Sequence, residues 1–183
     1  TVVVPCDSIE TKKATLQGAS FKGPYYFRFA REKTPVMTTD KTPFEIGKAE
    51  IFWDSVTRNA QTRNSNNSVA IVGCGPLVYE ALLAAKELHE NGIETIVVNN
   101  HTVKPMDAST IIKVAKLTGA VVTVEEHQVM GGMGSAVSEI LAKNYPVPME
   151  FIGMQDTFGE SGQPDELLEK YKMKKEYIIQ AVK

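Results

Sequence analysis

Two cysteines, three histidines and one tryptophan are all that a chain of 183 residues provides of those types. Cys6 and Cys74 stand far apart, and neither has a neighbouring histidine to activate it. They read as reduced, buried small hydrophobes, which argues against a disulfide framework or a thiol nucleophile. Three histidines are too few for an obvious His/Cys cage, and no HxxE or CxxC spacing accompanies them, so no metal ligand is assigned. No apolar stretch approaches the roughly 20 residues that span a bilayer, and no signal peptide is visible. A cytoplasmic protein without a membrane partner is the expectation. Twenty basic against twenty-two acidic residues give a net charge of −2, with neither sign gathered into a long run. That excludes the basic stripe of a nucleic-acid binder.

What is present is an alternation of two kinds of segment. Continuous apolar runs occur at 69–72, 95–98, 120–124 and 149–152, as expected for strands of a parallel sheet covered on both faces. Between them lie helical stripes. Val78, Ala81, Leu82, Ala85 and Leu88 form the first, with Pro76 near its first turn and Gly92 past its end. Ile111, Ile112 and Ala115 form the second, which Asp107 caps and Gly119 stops. Ala136, Val137, Ile140 and Leu141 form the third. The repetition predicts right-handed crossovers and an α/β fold: a three-layer sandwich with a mostly parallel sheet, preceded by a partial second α/β domain. In the tail, Pro164 with Asp165 and Glu166 marks a helix start. A last helix is expected from Lys174, with Ile178, Ile179 and Val182 facing inward.

The front end reads differently. It opens on Thr1 directly into an apolar β-branched run, as a cut-down or processed chain would. The run ends in a capping box, Asp7 at N-cap and Glu10 three residues on, and 23–31 reads as another strand. Two strands and a helix cannot bury a core alone, so they must pack on residues 44–183, on another copy or on further chain. The first ~35 residues are expected to be less well anchored than the rest. Residues 32–43 are linker-like, and 58–68 are polar and aperiodic, a mobile loop.

Three constellations look chemical. Glu125, Glu126 and His127 follow the third apolar run, where ligands of open α/β sheets gather. Gly131, Gly132 and Gly134 then offer backbone freedom at a helix start. The neighbouring carboxylates disfavour an anion there, so a capping or interface role is expected, one Glu capping or pairing locally and the rest facing solvent, with the glycines bringing helix and sheet together. The loop 73–78 resembles a dinucleotide fingerprint superficially. Val78 replaces its third glycine, and Asn99 and Asn100 stand where a ribose-binding acid belongs, so no nicotinamide cofactor is expected. Arg28 and Arg31 end an aromatic-rich strand, and Arg31 could offer a bidentate fork to a phosphate.

Four stretches are similar to one family, the transketolases among the thiamine-diphosphate enzymes: VPCDSIETKKAT, YYFRFARE, VEEHQVMGGMGSAVSE and DTFGESGQPDELLEKYKM. The resemblance implies that 1–35 is the end of a pyrimidine-binding domain, 36–68 a linker with the first strand region, and 69–183 the transketolase C-terminal domain. It implies that the parent enzyme, of the pentose phosphate pathway, moves a two-carbon ketol unit from a ketose phosphate to an aldose phosphate. Arg31 matches the family's substrate-phosphate arginine, and Ala30 stands where the family often has serine. No catalytic, cofactor or metal residue is assigned to this chain. The family's Gly-Asp-Gly…Asn segment, which holds thiamine diphosphate and Mg²⁺ (or Ca²⁺), does not occur in it. The implied partner is an N-terminal section carrying that segment, in a homodimer or heterotetramer, and the chain by itself is expected to be inactive. The rival readings are a non-catalytic interaction module of the same fold and a β subunit of another thiamine-diphosphate enzyme.

Overall fold

The computed structural model describes residues 1–57 and 67–183. The expected mobile loop at 58–68 lies outside the described residues except for its last two positions.

The front end forms β1 (Val2–Val3), α1 (Ser8–Ala19) and β2 (Tyr26–Phe27). Asp7 caps α1 by accepting the Glu10 N–H at 2.8 Å. The capping box is not closed as expected, because the Glu10 carboxylate takes the N–H of Cys6, at 2.7 Å, in place of that of Asp7. The strand predicted over 23–31 shrinks to two residues. It leaves Arg28 just beyond the strand and Arg31 in a bend.

Beyond the linker come β3 (Glu50–Asp54), β4 (Ser68–Gly73), a short 3-10 turn at Gly75–Leu77, α2 (Val78–Glu90) and β5 (Glu94–Asn99). Then follow β6 (Thr102–Lys104), α3 (Ala108–Thr118), β7 (Val121–Gln128), α4 (Met133–Asn144), β8 (Met149–Met154), α5 (Pro164–Lys170) and α6 (Lys175–Val182). The main sheet runs β3-β5-β4-β7-β8, parallel except for β3, which lies antiparallel to β5. Successive residues of β4 serve opposite layers. Ala70 and Val72 pack with Ile111, Val114 and Val137 of α3 and α4, while Ile71 packs with Ala81, Leu88 and Ile178 of α2 and α6. Burial on both faces is why the strands read as unbroken apolar runs. None of the described helices is long and apolar enough to cross a membrane.

β6 went unread in the sequence, being three residues long and polar at both ends. It receives β1 in antiparallel pairing, and β2 adds to β1 in parallel, giving a second sheet of order β2-β1-β6. The front end therefore packs on residues 44–183. The front end is not uniformly loose. Val3, Val4, Cys6, Asp7, Glu10 and Ala14 are buried, and exposure concentrates from Thr15 to Val36.

Residues 28–49 have no regular structure, yet side chains satisfy much of their backbone. From α1, Lys13 Nζ donates to the Thr39 carbonyl and Gln17 brackets the Phe44 carbonyl and the Ile46 N–H. Further along, Thr102 Oγ1 accepts from Gly47 N–H and Asp107 from Ala49 N–H.

Candidate functional site

A cleft of ≈ 630 Å³ among the described residues lies outside the carboxyl ends of β7 and β8. Chain segments from three places enclose it: residues 28–35 from the front end, the start of α2, and the loop from Met154 through α5. This is the position at which open α/β sheets bind ligands.

Glu125, Glu126 and His127 do not follow β7 but lie on it, and their side chains part company. Glu125 is 2% exposed and aims into the start of α4, where its carboxylate accepts the Met133 and Gly134 N–H groups at 2.7 and 2.8 Å. A Cβ on Gly132 would stand 2.5 Å from Glu125 Oε2, and one on Gly134 would stand 2.6 Å from Thr123 Oγ1 and 2.8 Å from Phe151. The glycines bring the helix onto the carboxylate, and the dipole end an exogenous phosphate would need is already filled. Burial pushes the Glu125 carboxyl up from its ordinary value, against those two N–H groups and the charges of His127 and Arg28. The β7–β8 register shifts between Val124 and Gln128, which interrupts strict alternation and leaves both Glu126 and His127 exposed on the cleft.

The loop after β4 is likewise taken by the chain itself. The Gly75 N–H donates to the Val4 carbonyl, and a Cβ at Gly75 would meet Val4 Cγ1 at 3.0 Å. Cys6 and Cys74 are free and buried, and burial raises both thiols, most of all keeping them from ionising.

Arg31 lines the cleft, together with Arg28, Lys33 and His127. Arg28 is half-buried and Arg31 exposed. Four carboxylates share the walls, Glu32, Glu80, Glu126 and Glu160. Two of them are committed: Glu160 to Lys170 at 2.6 Å, and Glu80 to the Lys175 N–H at 2.8 Å. Among the described residues no carboxylate comes within 4.0 Å of Arg28, Arg31 or Lys33, so their cationic heads are open to an oxyanion. His127, expected from the sequence at a strand end where ligands gather, does line the cleft, but which other segments complete that cleft was not legible in the sequence.

A second polar cluster, also unread in the sequence, sits at the carboxyl end of β5. Asn99 Nδ2 donates to Glu10 Oε1 at 2.7 Å, and the fully buried His101 stacks on Phe44 with ring centroids 4.3 Å apart. Burial lowers the His101 imidazole to about 4, so it is neutral at physiological pH. It packs the junction between β5 and the linker and does not reach the cleft.

The family model described as "Transketolase, C-terminal domain" matches residues 58–178. The 6-deoxy-6-sulfo-D-fructose transketolase subunit SqwH of Clostridium sp. (strain MSTE9) is 39% identical over 99% of this chain and 53% of its own length. A putative transketolase C-terminal section of Methanocaldococcus jannaschii is 38% identical over 99% of this chain and 54% of its own. A solved split-gene transketolase, described as an inactive β4 tetramer, superposes with a TM-score of 0.88 at 38% identity, covering 99% of this chain and 56% of that one. The chain spans about half the length of these relatives.

Proposed function

The chain belongs to the transketolase C-terminal-domain family, and from that premise we propose that it is the C-terminal section of an enzyme that moves a two-carbon ketol unit from a ketose phosphate to an aldose phosphate. Its own contribution is the grip on the sugar's anionic end. Arg31 takes the phosphate through its guanidinium fork, and the domain behind it supplies assembly surface. The observation that supports this is the exposed Arg31 guanidinium, with Arg28 beside it and no carboxylate of the described residues within 4.0 Å of either, on a cleft at the carboxyl ends of β7 and β8.

The described residues do not fit thiamine diphosphate and its metal. They contain no group of three or more His, Cys, Asp or Glu side chains placed to hold a cation. The helix terminus best placed for a diphosphate, at α4, is occupied by Glu125. We therefore assign the coenzyme with Mg²⁺ (or Ca²⁺) to a separate N-terminal section, in a heterotetramer or a dimer of joined chains, and derive no step through it. The isolated chain is inactive in this reading, in keeping with the inactive β4 tetramer of the split-gene relative.

A second reading replaces the phosphate with a sulfonate, on the strength of the sulfosugar named for the Clostridium relative. Three oxygens on a tetrahedral centre suit the same guanidinium. The test is steady-state kinetics of the chain reconstituted with its N-terminal section. Arg31→Ala is expected to raise KM for phosphorylated sugars by about tenfold or more, and to lower kcat less. An unchanged KM refutes the role of Arg31, and the donor with the higher kcat/KM, phosphate- or sulfonate-tailed, decides between the two readings.

A further inference from the structure

Arg31 sits on a strap with little packing of its own. Residues Ala30, Glu32, Lys33 and Thr34 line the ≈ 630 Å³ cleft on one side and a second cavity of ≈ 420 Å³ on the other. Phe29 and Val36 are 47% and 59% exposed, so no buried side chain holds the strap between its ends. Its position is set where it is tied. At the near end the Arg28 N–H donates to the Val3 carbonyl at 3.0 Å, at the end of β1. At the far end a single carboxylate gathers the chain. Asp7 Oδ2 accepts the Met37 and Thr38 N–H groups at 2.8 and 2.6 Å, and Oδ1 accepts the Thr38 hydroxyl at 2.8 Å. Oδ1 also caps α1 through the Glu10 N–H. Asp7 is 3% exposed, so these bonds are made away from competing water.

We infer that Asp7 is a positioning residue for anionic-substrate binding: it fixes the far end of the strap, and through the strap the place of the Arg31 guanidinium, without touching substrate. The inference rests on the reading of Arg31 as the anion grip. A carboxylate is what the geometry requires, because four donors converge on it and an amide in its place would point N–H groups at some of them. The four-residue spacing from Val3 to Asp7 matters too, since both anchors then belong to one buried piece of chain and cannot drift apart.

The experiment uses the chain reconstituted with its N-terminal section, and compares KM for a ketose phosphate donor with KM for a donor lacking phosphate. Asp7→Asn is expected to raise the ratio of the two by about tenfold or more, because a displacement near 1 Å is enough for such a loss. Thr38→Ala, which leaves the α1 cap in place, is expected to raise it by about threefold. Asp7→Asn combined with Arg31→Ala should raise the ratio no further than Arg31→Ala does. Amide exchange over 29–38 should quicken in both single variants. Equal increases in KM for both donors, or additive effects in the double variant, overturn the assignment of Asp7. If Arg31→Ala leaves the ratio unchanged, the reading of Arg31 itself fails. If Arg31→Ala raises the ratio and the Asp7 and Thr38 variants do not, only the inference about Asp7 falls.

Discussion

Buried acids in this chain fall into two kinds, told apart by what surrounds each carboxylate. Glu10 is 1% exposed and has no cation beside it. Burial raises its carboxyl, and the Cys6 N–H and Asn99 amide only partly offset this. Asp7 is also shielded from water, at 3% exposure, but its hydrogen bonds from Glu10, Thr38 and Met37 outweigh the effect of burial and hold its carboxyl below the ordinary value. The two act on stability with opposite signs. Asp7 contributes stability that is present above the unfolded carboxyl value of 3.8 and is lost as pH falls through its lower folded value. Glu10 keeps its proton to higher pH folded than unfolded, so its contribution is complete below 4.5 and is lost as pH rises through the raised folded value. Urea denaturation of wild type and Glu10→Gln at a series of pH values from about 4.5 upward reads this directly. The fall in stability with rising pH is expected to be shallower in the variant, and parallel curves would show that Glu10 is not its source.

At the scale of elements, close approach decides which glycines matter. Gly134 lies in α4 over Thr123 and Phe151, with the Glu125 carboxylate beside it. Alanine has the better helix propensity by roughly 1 kcal/mol. The added methyl nevertheless has no room, so Gly134→Ala is expected to destabilise the chain by about 1–3 kcal/mol. Gly159, on the loop beside the cleft, has nothing within 4 Å of its Cβ position, and Gly159→Ala should stay within about 0.5 kcal/mol of wild type. Thermal melts of the two variants check the contrast, and a stable Gly134→Ala would mean that helix α4 shifts to make room. The elements themselves were largely legible. Asp107 does cap α3, through Thr110 N–H at 3.1 Å, and Gly119 ends it at φ +78°. The strand expected over 23–31 shrank because only Tyr26 and Phe27 find a neighbouring strand, although the aromatic rings pack on one another, as in the Tyr25–Phe27 pair with centroids 4.2 Å apart. Aromatic composition favours a strand, but a ladder needs a partner.

On the scale of the whole molecule, the chain is two sheets joined by an irregular segment that α1 and α3 hold through side chains. The cleft lies at their junction, so the front end and the C-terminal sandwich each supply part of its wall. No described residues are arranged for the coenzyme's metal. Adding thiamine diphosphate and Mg²⁺ to the isolated chain is therefore expected to leave its Tm unchanged, since a ligand stabilises only the state that binds it. A clear rise in differential scanning calorimetry would relocate the coenzyme site to this chain.

Local order came from the sequence by itself: the strands from apolar runs, the helices from stripes and caps, the similarity to one enzyme family from four short stretches. Those are properties of neighbours along the chain, and periodicity records them. Tertiary structure decided which of the neighbouring acids supplies the expected cap at the start of α4, that His127 shares a cleft wall with Arg31, and that Asp7 reaches Thr38 across thirty-one positions. The last two depend on contacts between distant segments, whose partners no local pattern of residues encodes.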